Sequence, residues 1–242
     1  MGSYNESFLK LRQAVRPYIS NASGTILIGV SGGADSMALC AAALAEGSGK
    51  RIIPVVVDHG LQKNSAQIAD LVCDRLKKMG LKEVFSSKAH VELSDGLEAS
   101  ARRARYKVFE QAIETFGAQI FLLGHNKNDQ AESVLLGLAR GSGTRSLSGM
   151  AVQNNKFVRP LLKISRSVTQ AACIKGGIEI WHDPHNDDER FTRVRVRKNV
   201  LPVIENNLGP KIAEALARSS DLLRDDADAL DGFAHEFFNQ VD

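Results

Sequence analysis

Short apolar runs alternate with helix-length segments through the first half of the chain, and this alternation constrains the fold more than any other feature. Strands are predicted for the apolar runs at 25–30, 52–58, 84–87 and 119–124. Apolar spacing of three and four residues predicts helices between them, at 35–46, 65–79 and 97–116. Because the strands are hydrophobic on both sides, we predict a doubly wound, parallel-sheet α/β domain. Ligands of such domains bind beyond the carboxyl ends of the strands.

The second half of the chain has a less regular pattern. A strand is predicted at 157–162, where Pro160 disfavours a central position in the sheet, and a helix is predicted at 165–175. Turn-forming residues at 181–188 indicate irregular structure, and residues 208–241 predict one or two polar helices. We therefore expect one domain at 1–207 and a helical extension at 208–242, which is either a short natural ending or the start of a truncated C-terminal region.

Composition narrows the class of protein. The 242 residues are 43% hydrophobic and 24% charged, which is ordinary for a globular protein. Apolar runs stay well short of the roughly 18 residues that would span a bilayer, so we expect a cytoplasmic protein without membrane association. The three cysteines, Cys40, Cys73 and Cys173, form no C-x-x-C pair, which argues against a disulfide framework and a zinc ribbon.

Positive charge is concentrated before the last thirty residues. The net charge of +3 combines −6 on residues 212–242 with +9 on residues 1–211, and such a basic excess attracts polyanions. Five cations lie within nine residues: Arg190, Arg193, Arg195, Arg197 and Lys198. The middle three alternate with Val194 and Val196, which suggests one basic and one apolar side. Such a run can meet RNA phosphates, and the alternative is a solvated charged face.

A glycine-rich segment, Ser31-Gly32-Gly33-Ala34-Asp35-Ser36, separates the first predicted strand from the helix that follows. Its glycines let successive N–H groups turn into one concavity, and the two serine hydroxyls and the helix N-terminus favour an anion there. Asp35 would repel a phosphate directly, so we expect it to hold Mg²⁺ that bridges phosphate oxygens. The alternative is a simple turn in which Asp35 and Ser36 cap the helix.

This segment matches neither a Walker A loop nor a dinucleotide-binding G-x-G-x-x-G. Without the Walker lysine that contacts the terminal phosphates, cleavage elsewhere on the nucleotide is expected. The segment resembles the PP-loop, or N-type ATP pyrophosphatase, superfamily, whose members adenylate an oxygen and release pyrophosphate. The resemblance implies a Rossmann-like, adenine nucleotide alpha hydrolase-like fold. It also implies ATP binding by Ser31, Gly32, Gly33, Ala34, Asp35 and Ser36.

Further blocks narrow the resemblance to one family. They are 57–61 (VDHGL), Glu98 with 101–106 (ARRARY), 123–125 (LGH) with 129–132 (DQAE) and Leu135, 140–143 (RGSG), 159–162 (RPLL) and 183–186 (DPHN). In this order they resemble the tRNA(Ile)-lysidine synthetases, over residues 25–203. Members convert the wobble cytidine of a CAU anticodon to lysidine with ATP and L-lysine. The resemblance therefore implies a ligase that forms a carbon–nitrogen bond, with Mg²⁺ as cofactor and with AMP and pyrophosphate as products.

The resemblance also implies roles for individual residues. Arg105 would meet the nucleotide or its leaving phosphates, and Asp129 and Glu132 would recognise lysine and the target cytidine. Further ATP contacts are expected from Asp58, His59, Gly124 and His125. Contacts with tRNA or ATP are expected from Arg102, Arg193, Arg195 and Arg197. Val194 and Asn128 depart from the asparagine and the acid that are usual in the family.

The residue types and their spacing are compatible with these roles and with simpler ones. Arg102 and Arg105 share one helix face, as do Asp129 and Glu132, and two carboxylates can position the two amines of lysine. A solvated basic face is the alternative for the arginines, and complementation of the helix dipole is the alternative for the acids. His59 and His125 can instead tie their loops by hydrogen bonds. The sequence leaves open which carboxylate accepts the lysine proton.

Three other functions share part of this pattern. A related enzyme that thiolates tRNA cytidine would need a C-x-x-C pair, which the chain lacks. A catalytically inactive, nucleotide-dependent RNA-binding module would have no need of the intact Asp35, Arg105, Asp129 and Glu132. Amide-forming relatives do not explain the later blocks. The oligomeric state is open, and a homodimer is one candidate.

Overall fold

The computed structural model describes residues 6–60, 64–92, 96–141 and 143–241. Leu61 and Ser142 of the sequence blocks, and the side chain of Glu98, lie outside the described residues. The chain forms two units. The first comprises Met1–His125 and Gln153–Pro184 and is called the sheet unit; the second comprises Asn126–Val152 and His185–Asp242 and is called the helical unit.

Six strands form the centre of the sheet unit. They are β1 (Ile26–Val30), β2 (Ile52–Asp58), β3 (Phe85–Lys88), β4 (Ile120–Leu123), β5 (Gln153–Asn154) and β6 (Phe157–Val158), arranged in the order β3-β2-β1-β4-β6-β5. All neighbouring strands are parallel except β5 and β6, which are antiparallel. The chain runs outward from β1 to β3 and returns on the other side of β1 as β4. Such a change of direction in a parallel sheet marks the usual ligand position.

The helices are α1 (Glu6–Asn21), α2 (Ala34–Glu46), α3 (Ser65–Lys78), α4 (Leu97–Thr115), α5 (Lys127–Ala139), α6 (Thr144–Leu147), α7 (Arg166–Gly176), α8 (Thr192–Arg195), α9 (Leu201–Leu208) and α10 (Ile212–Val241). A 3₁₀ turn at Pro184–Asp187 and a π-helical turn at Val196–Val200 complete them. None of the helices in the described part of the chain has both the length and the apolar character needed to cross a bilayer.

Both faces of the sheet are covered, as the hydrophobic strands predict. Ile26 and Ile28 of β1 join a core cluster with residues of α1, α2, α3 and α7. Leu27, between them, joins a second cluster with residues of α4, because alternate side chains of a strand point to opposite faces. The predicted doubly wound α/β fold is therefore confirmed.

One local prediction was wrong, and one short strand was missed. The predicted strand at 157–162 ends at Val158, and a turn follows at 160–163. Pro160 has no N–H group to continue the ladder, and Leu161 and Leu162 are instead buried in the turn. The short strand β5, which pairs with β6 through a turn containing Asn155 at φ 51°, carries too few apolar residues to be predicted.

The helical unit is built around α5 and the long helix α10. Ala131 of α5, Val196, Leu201 and Ala213 form its apolar cluster. Polar contacts also hold α10: Lys127 pairs with Glu214 at 2.9 Å, and Arg224 donates to the carbonyl oxygens of Ser148 and Gly149 at 2.6 and 2.8 Å. Arg145 forms ion pairs with Asp228 and Asp231. The predicted polar helices are thus one helix, and the division at residue 207 stays a prediction.

In the sheet unit, an ion-pair cluster connects α1 and α2. Glu46 has a side chain only 9% exposed, and it accepts hydrogen bonds from the Nε atoms of Arg12 and Arg16 at 2.6 and 2.8 Å. The hydrogen bond from Arg16, with help from Arg12, lowers the pKa of Glu46 to about 2. The charged carboxylate therefore stabilises the folded chain.

We predict that Glu46→Gln lowers Tm at pH 7 by roughly 2–4 °C, the shift that corresponds to about 1 kcal/mol in a chain of this size. Because folding lowers this pKa, its stabilisation is complete above the ordinary value of 4.5 and disappears as the pH falls toward 2. Thermal denaturation of both proteins across this pH range measures the difference. Glu83→Gln is the control, because the Arg51–Glu83 pair is exposed; an equal loss in both variants would contradict the prediction.

Candidate active site

The loop between β1 and α2 adopts a conformation that requires glycine. Gly32 has φ +85°, and a Cβ atom there would lie 2.6 Å from Cγ2 of Val72. Its carbonyl oxygen accepts a hydrogen bond from the N–H of Trp181 at 2.9 Å. A residue from the irregular segment after α7 therefore holds the loop in place, and no pattern in the sequence indicates this contact.

The side chain of Ser36 forms hydrogen bonds within the same loop. Its hydroxyl donates to the carbonyl oxygen of Gly33 at 3.0 Å, and its Oγ accepts a hydrogen bond from the N–H of Ser31 at 3.2 Å. Gly33 is the N-cap of α2 and provides no side-chain cap. The first N–H groups of α2 therefore have no capping acceptor from this residue, an arrangement that favours an anion at the helix N-terminus.

Gly124, directly after β4, lies against the first turn of α2. A Cβ atom at Gly124 would come within 3.1 Å of both the backbone N and the Cα of Ser36 and within 3.2 Å of the carbonyl carbon of Asp35. Because these are backbone atoms, they cannot turn aside as a side chain can. Any side chain at Gly124, a predicted ATP-binding residue, would therefore push the first turn of α2 by a few tenths of an ångström.

Asp35 is held by helix α7. Its side chain is 26% exposed, Oδ1 accepts a hydrogen bond from the hydroxyl of Thr169 at 2.5 Å, and Oδ2 lies 3.9 Å from Nε of Arg166. Among the described residues, no group of three or more His, Cys, Asp or Glu side chains could enclose a metal ion. A Mg²⁺ ion at Asp35 would take its other ligands from phosphate and water, and this is the usual coordination of nucleotide-bound Mg²⁺.

Residues of three sequence blocks interact at the carboxyl end of β2. Asp58 accepts a hydrogen bond from the N–H of Gly60 at 2.9 Å. Burial lowers the pKa of His59 to about 4, and the charge of Arg105 adds to this effect while Asp58 and Asp183 oppose it. His59 is therefore neutral at pH 7, and its buried Nδ1 has no hydrogen-bond partner among the described residues.

The remaining candidates of the sheet unit lie at its carboxyl edge or on α4. His125 follows Gly124 and is half-buried. Arg102 is exposed, and its guanidinium lies 5.1 Å from the ring centre of Tyr106. Arg102 and Arg105 share a helix face but have different surroundings. Arg102 stacks on the ring of Tyr106, whereas the charge of Arg105 helps to lower the pKa of His59.

In the helical unit, a buried ion cluster forms around Glu132. This side chain is fully buried. Oε2 accepts a hydrogen bond from Nε of Arg193 at 2.8 Å, and Oε1 accepts one from Nε of Arg197 at 2.7 Å. Asp129 Oδ1 lies 3.7 Å from an Nη2 atom of each arginine. The structure thus brings the two predicted carboxylates together with two of the predicted tRNA-binding cations.

Helical spacing brings the two members of each pair, the carboxylates and the arginines, onto one helix face. Asp129 and Glu132 are three residues apart on α5, whose N-cap Asn126 forms reciprocal hydrogen bonds with Asp129. Arg193 and Arg197 are four apart on the helical segment of α8 and its π-turn. Both pairs can therefore meet as two helix faces.

The alternating arginines and valines do not form one basic side. Because the segment is helical, Arg195 turns away from the carboxylates and donates to the carbonyl oxygens of Glu189 and Arg190 at 2.7 and 3.0 Å. Val194 is 7% and Val196 is 8% exposed. The expected single basic side was wrong, whereas both valines are buried as an apolar side requires. Contact of these arginines with tRNA stays a prediction.

The comparisons with known proteins agree with this geometry. A family model described as a PP-loop domain matches residues 4–204. The chain is 48% identical over 223 residues to the tRNA(Ile)-lysidine synthase of Leifsonia xyli subsp. xyli, an alignment that covers 91% of the chain and 67% of that relative. It is 46% identical over 235 residues to the tRNA(Ile)-lysidine synthase of Thermobifida fusca, covering 96% of the chain and 72% of the relative. The chain belongs to the tRNA(Ile)-lysidine synthase family.

Solved structures of more distant proteins have a fold similar to that of this member of the tRNA(Ile)-lysidine synthase family. The U34-tRNA thiolase NcsA from Methanococcus maripaludis, solved with its [4Fe-4S] cluster, is similar with a TM-score of 0.71 and 18% identity, over 90% of this chain and 80% of the thiolase. The NH3-dependent NAD synthetase from Campylobacter jejuni is similar with a TM-score of 0.51 and 13% identity, over 91% and 94% of the two chains. These likenesses support the fold alone.

Gly124→Ala tests the contact between the phosphate loop and β4. An added methyl group has to displace the first turn of α2, so we predict that ATP binds roughly tenfold more weakly, the effect of about 1–2 kcal/mol of overpacking. Titration of the purified chain with ATP by calorimetry measures the dissociation constant. Gly232→Ala is the matched control, because a Cβ atom there meets nothing within 4 Å. Unchanged ATP affinity in Gly124→Ala would show that this contact does not position the loop.

Proposed function

We propose that the chain joins L-lysine to the wobble cytidine of tRNA(Ile) with a CAU anticodon, using ATP and releasing AMP and pyrophosphate. The observation that carries this proposal is the closed phosphate loop at the carboxyl end of β1, in a chain 48% identical to a tRNA(Ile)-lysidine synthase. A tRNA substrate favours the cytoplasm as the place of action. A homodimer stays a proposal that light scattering tests.

The first proposed step transfers adenylate to the base. The C2 oxygen of cytidine attacks the α-phosphorus of ATP and pyrophosphate leaves. We assign the phosphates to the hydroxyl group of Ser31 and to the N–H groups of residues 32–36, at the start of α2, where an anion is favoured. Asp35 would hold Mg²⁺, which neutralises charge on the departing pyrophosphate when bound. Arg105 supplies a second positive charge beside His59, and the neutral imidazole can donate or accept a hydrogen bond there.

The second proposed step joins lysine to the activated carbon. The ε-amine attacks C2 in its neutral form, AMP leaves, and a nearby carboxylate accepts the proton. Asp129 is the better candidate for contact with the amine, because its side chain is 12% exposed whereas that of Glu132 is completely buried. Glu132 acts by fixing Arg193 and Arg197, since both of its oxygens already accept guanidinium hydrogen bonds.

Thiolation of tRNA is the alternative activity, because a tRNA thiolase has a similar fold. Sulfur chemistry of that kind depends on reactive thiolates. Here Cys40, Cys73 and Cys173 are all buried, and burial raises the pKa of Cys40 to about 12 and that of Cys173 to about 11. The cysteines are therefore poorly suited to hold a cluster or a persulfide. The lysine-transfer proposal is favoured.

The direct test is the mass of the tRNA product. Unmodified tRNA(Ile) is incubated with the chain, MgATP and L-lysine, and the anticodon fragment is analysed by mass spectrometry. We expect a mass gain of one lysine residue that requires both ATP and lysine, and none with Asp35→Ala. Modification by sulfur would support the thiolase alternative. Binding of tRNA and ATP without AMP release would support the inactive RNA-binding module.

Replacing the carboxylates separates lysine use from ATP use. We predict that Asp129→Asn and Glu132→Gln raise the KM for lysine at least tenfold and change the KM for ATP by less than threefold. Loss of the Asp129 charge removes the amine contact, and Glu132→Gln releases the two arginines that surround it. Steady-state AMP release measures both constants, and Glu214→Gln, which removes the charge of the partly exposed partner of Lys127, is the control.

Thermal denaturation accompanies these kinetics because Glu132 is buried. Removal of one partner from a buried ion cluster is strongly destabilising, by about 3–5 kcal/mol. We therefore expect Glu132→Gln to lower Tm more than Asp129→Asn does. Equal KM values for lysine in the wild type and in Asp129→Asn would contradict the assigned role of Asp129.

A further inference from the structure

Helix α7 contacts the beginning of α2 through one of its faces. Thr169 follows Arg166 by three residues and precedes Cys173 by four, so the three side chains lie along one side of the helix. Cys173 Sγ lies 3.4 Å from the carbonyl oxygen of Ala34, and both other residues approach the carboxylate of Asp35. One face of α7 therefore contacts the two residues directly after Gly33.

Thr169 makes the closest of these contacts. It is completely buried, and its hydroxyl oxygen lies 2.5 Å from Asp35 Oδ1 and 2.8 Å from the carbonyl oxygen of Arg166. A hydroxyl group has one proton, and both neighbours are acceptors, so it can donate to only one of them at a time. An ionised carboxylate is a stronger acceptor than a carbonyl group. The bond to Asp35 is therefore favoured.

The second oxygen of Asp35 has different surroundings. Oδ2 lies 3.9 Å from Nε of Arg166, which is beyond hydrogen-bond distance, and both side chains are partly exposed, at 26% and 20%. A buried donor thus holds one carboxylate oxygen, while the other remains at longer range from the nearby guanidinium. A carboxylate held in this way has a fixed orientation before any ligand binds.

We propose that Thr169 is a positioning residue for Asp35: it holds Oδ1 so that Oδ2 is presented to the Mg²⁺ ion of bound ATP. This inference rests on the proposed ATP-dependent function and adds to it a residue of α7 that lies outside the phosphate loop. Thr169 acts through Asp35, so its loss affects the Mg²⁺-dependent part of ATP binding and leaves the contacts of the loop backbone with phosphate in place.

Thr169→Val tests this role, because valine keeps the shape of threonine and removes the hydroxyl group. The dissociation constant of ATP is measured by calorimetry in Mg²⁺ and again in EDTA. We expect Thr169→Val to weaken binding about tenfold in Mg²⁺, through loss of a hydrogen bond to a charged group, and by less than twofold in EDTA. Thr169→Ser, which keeps the hydroxyl group, has to stay within twofold of the wild type in both buffers.

Thr115→Val is the matched control, because Thr115 on α4 donates to the carbonyl oxygen of Gln111 at 2.8 Å and is exposed. Thr169→Ala is measured alongside and has to show the same Mg²⁺-restricted loss. Equal weakening in Mg²⁺ and EDTA would indicate a general packing role and overturn the inference, as would wild-type binding by Thr169→Val. Wild-type protein that binds ATP with no dependence on Mg²⁺ would instead overturn the assigned role of Asp35.

Discussion

The first turn of α2 is fixed by contacts that leave no space for additional atoms, and the proposed ATP site depends on this fit. Gly124 approaches the backbone of Ser36 so closely that a methyl group would lie at 3.1 Å. On the other side, Gly32 adopts a left-handed conformation against Val72. The loop between them is therefore already closed, and its N–H groups need little reorganisation when an anion arrives.

In the helical unit, a buried ion cluster fixes the positions of the charged side chains. An isolated buried carboxylate would be very costly, and Glu132 is tolerated because two guanidinium groups satisfy its oxygens. The same contacts determine where Arg193 and Arg197 lie. Asp129 borders this cluster and keeps some exposure, at 12% of its side chain. A cluster of this kind gives a defined place to charges that would otherwise be mobile on long side chains.

The sequence predicted the fold well because the main signals are local. Strands buried on both faces appear as continuous apolar runs, and β1, β2 and β4 lie where these runs predict. The family-specific blocks led to the family that the comparisons then showed. The errors arose where one residue or one helical turn overrides a local pattern: Pro160 ends β6 early, and the R-V-R-V-R alternation of residues 193–197 belongs to a helix.

The contacts of Asp35 and Glu132 could not be predicted in the same way. Thr169 follows Asp35 by 134 positions, and Arg197 follows Glu132 by 65. No spacing rule connects residues so far apart in the chain. The helix that carries Arg166 and Thr169 could be predicted, but which of its faces meets Asp35 is decided by tertiary packing. Trp181 was missed for a further reason: it contributes a backbone N–H and not a side chain to the loop, so its residue type carries no signal.

Ion pairs within the protein affect which basic side chains are suited to contact RNA phosphates. Within the 190–198 run, Arg190 bonds to Asp188 and Lys198 to Asp187, at 2.6 Å in each case, and Arg193 and Arg197 bond to Glu132. Binding to a polyanion gains free energy by releasing counterions from the phosphates, and a cation already paired with a carboxylate contributes less to it.

Several exposed basic side chains elsewhere in the described part of the chain are not paired with a carboxylate in this way. Arg102 and Lys107 on α4, Lys163 before α7 and Arg140 after α5 are all exposed. They are therefore better candidates for phosphate contacts than Arg193 and Arg197. The arginine-rich segment then has a different role, because it holds the carboxylates of α5 in place. Most of its positive charge is paired with carboxylates of the protein itself.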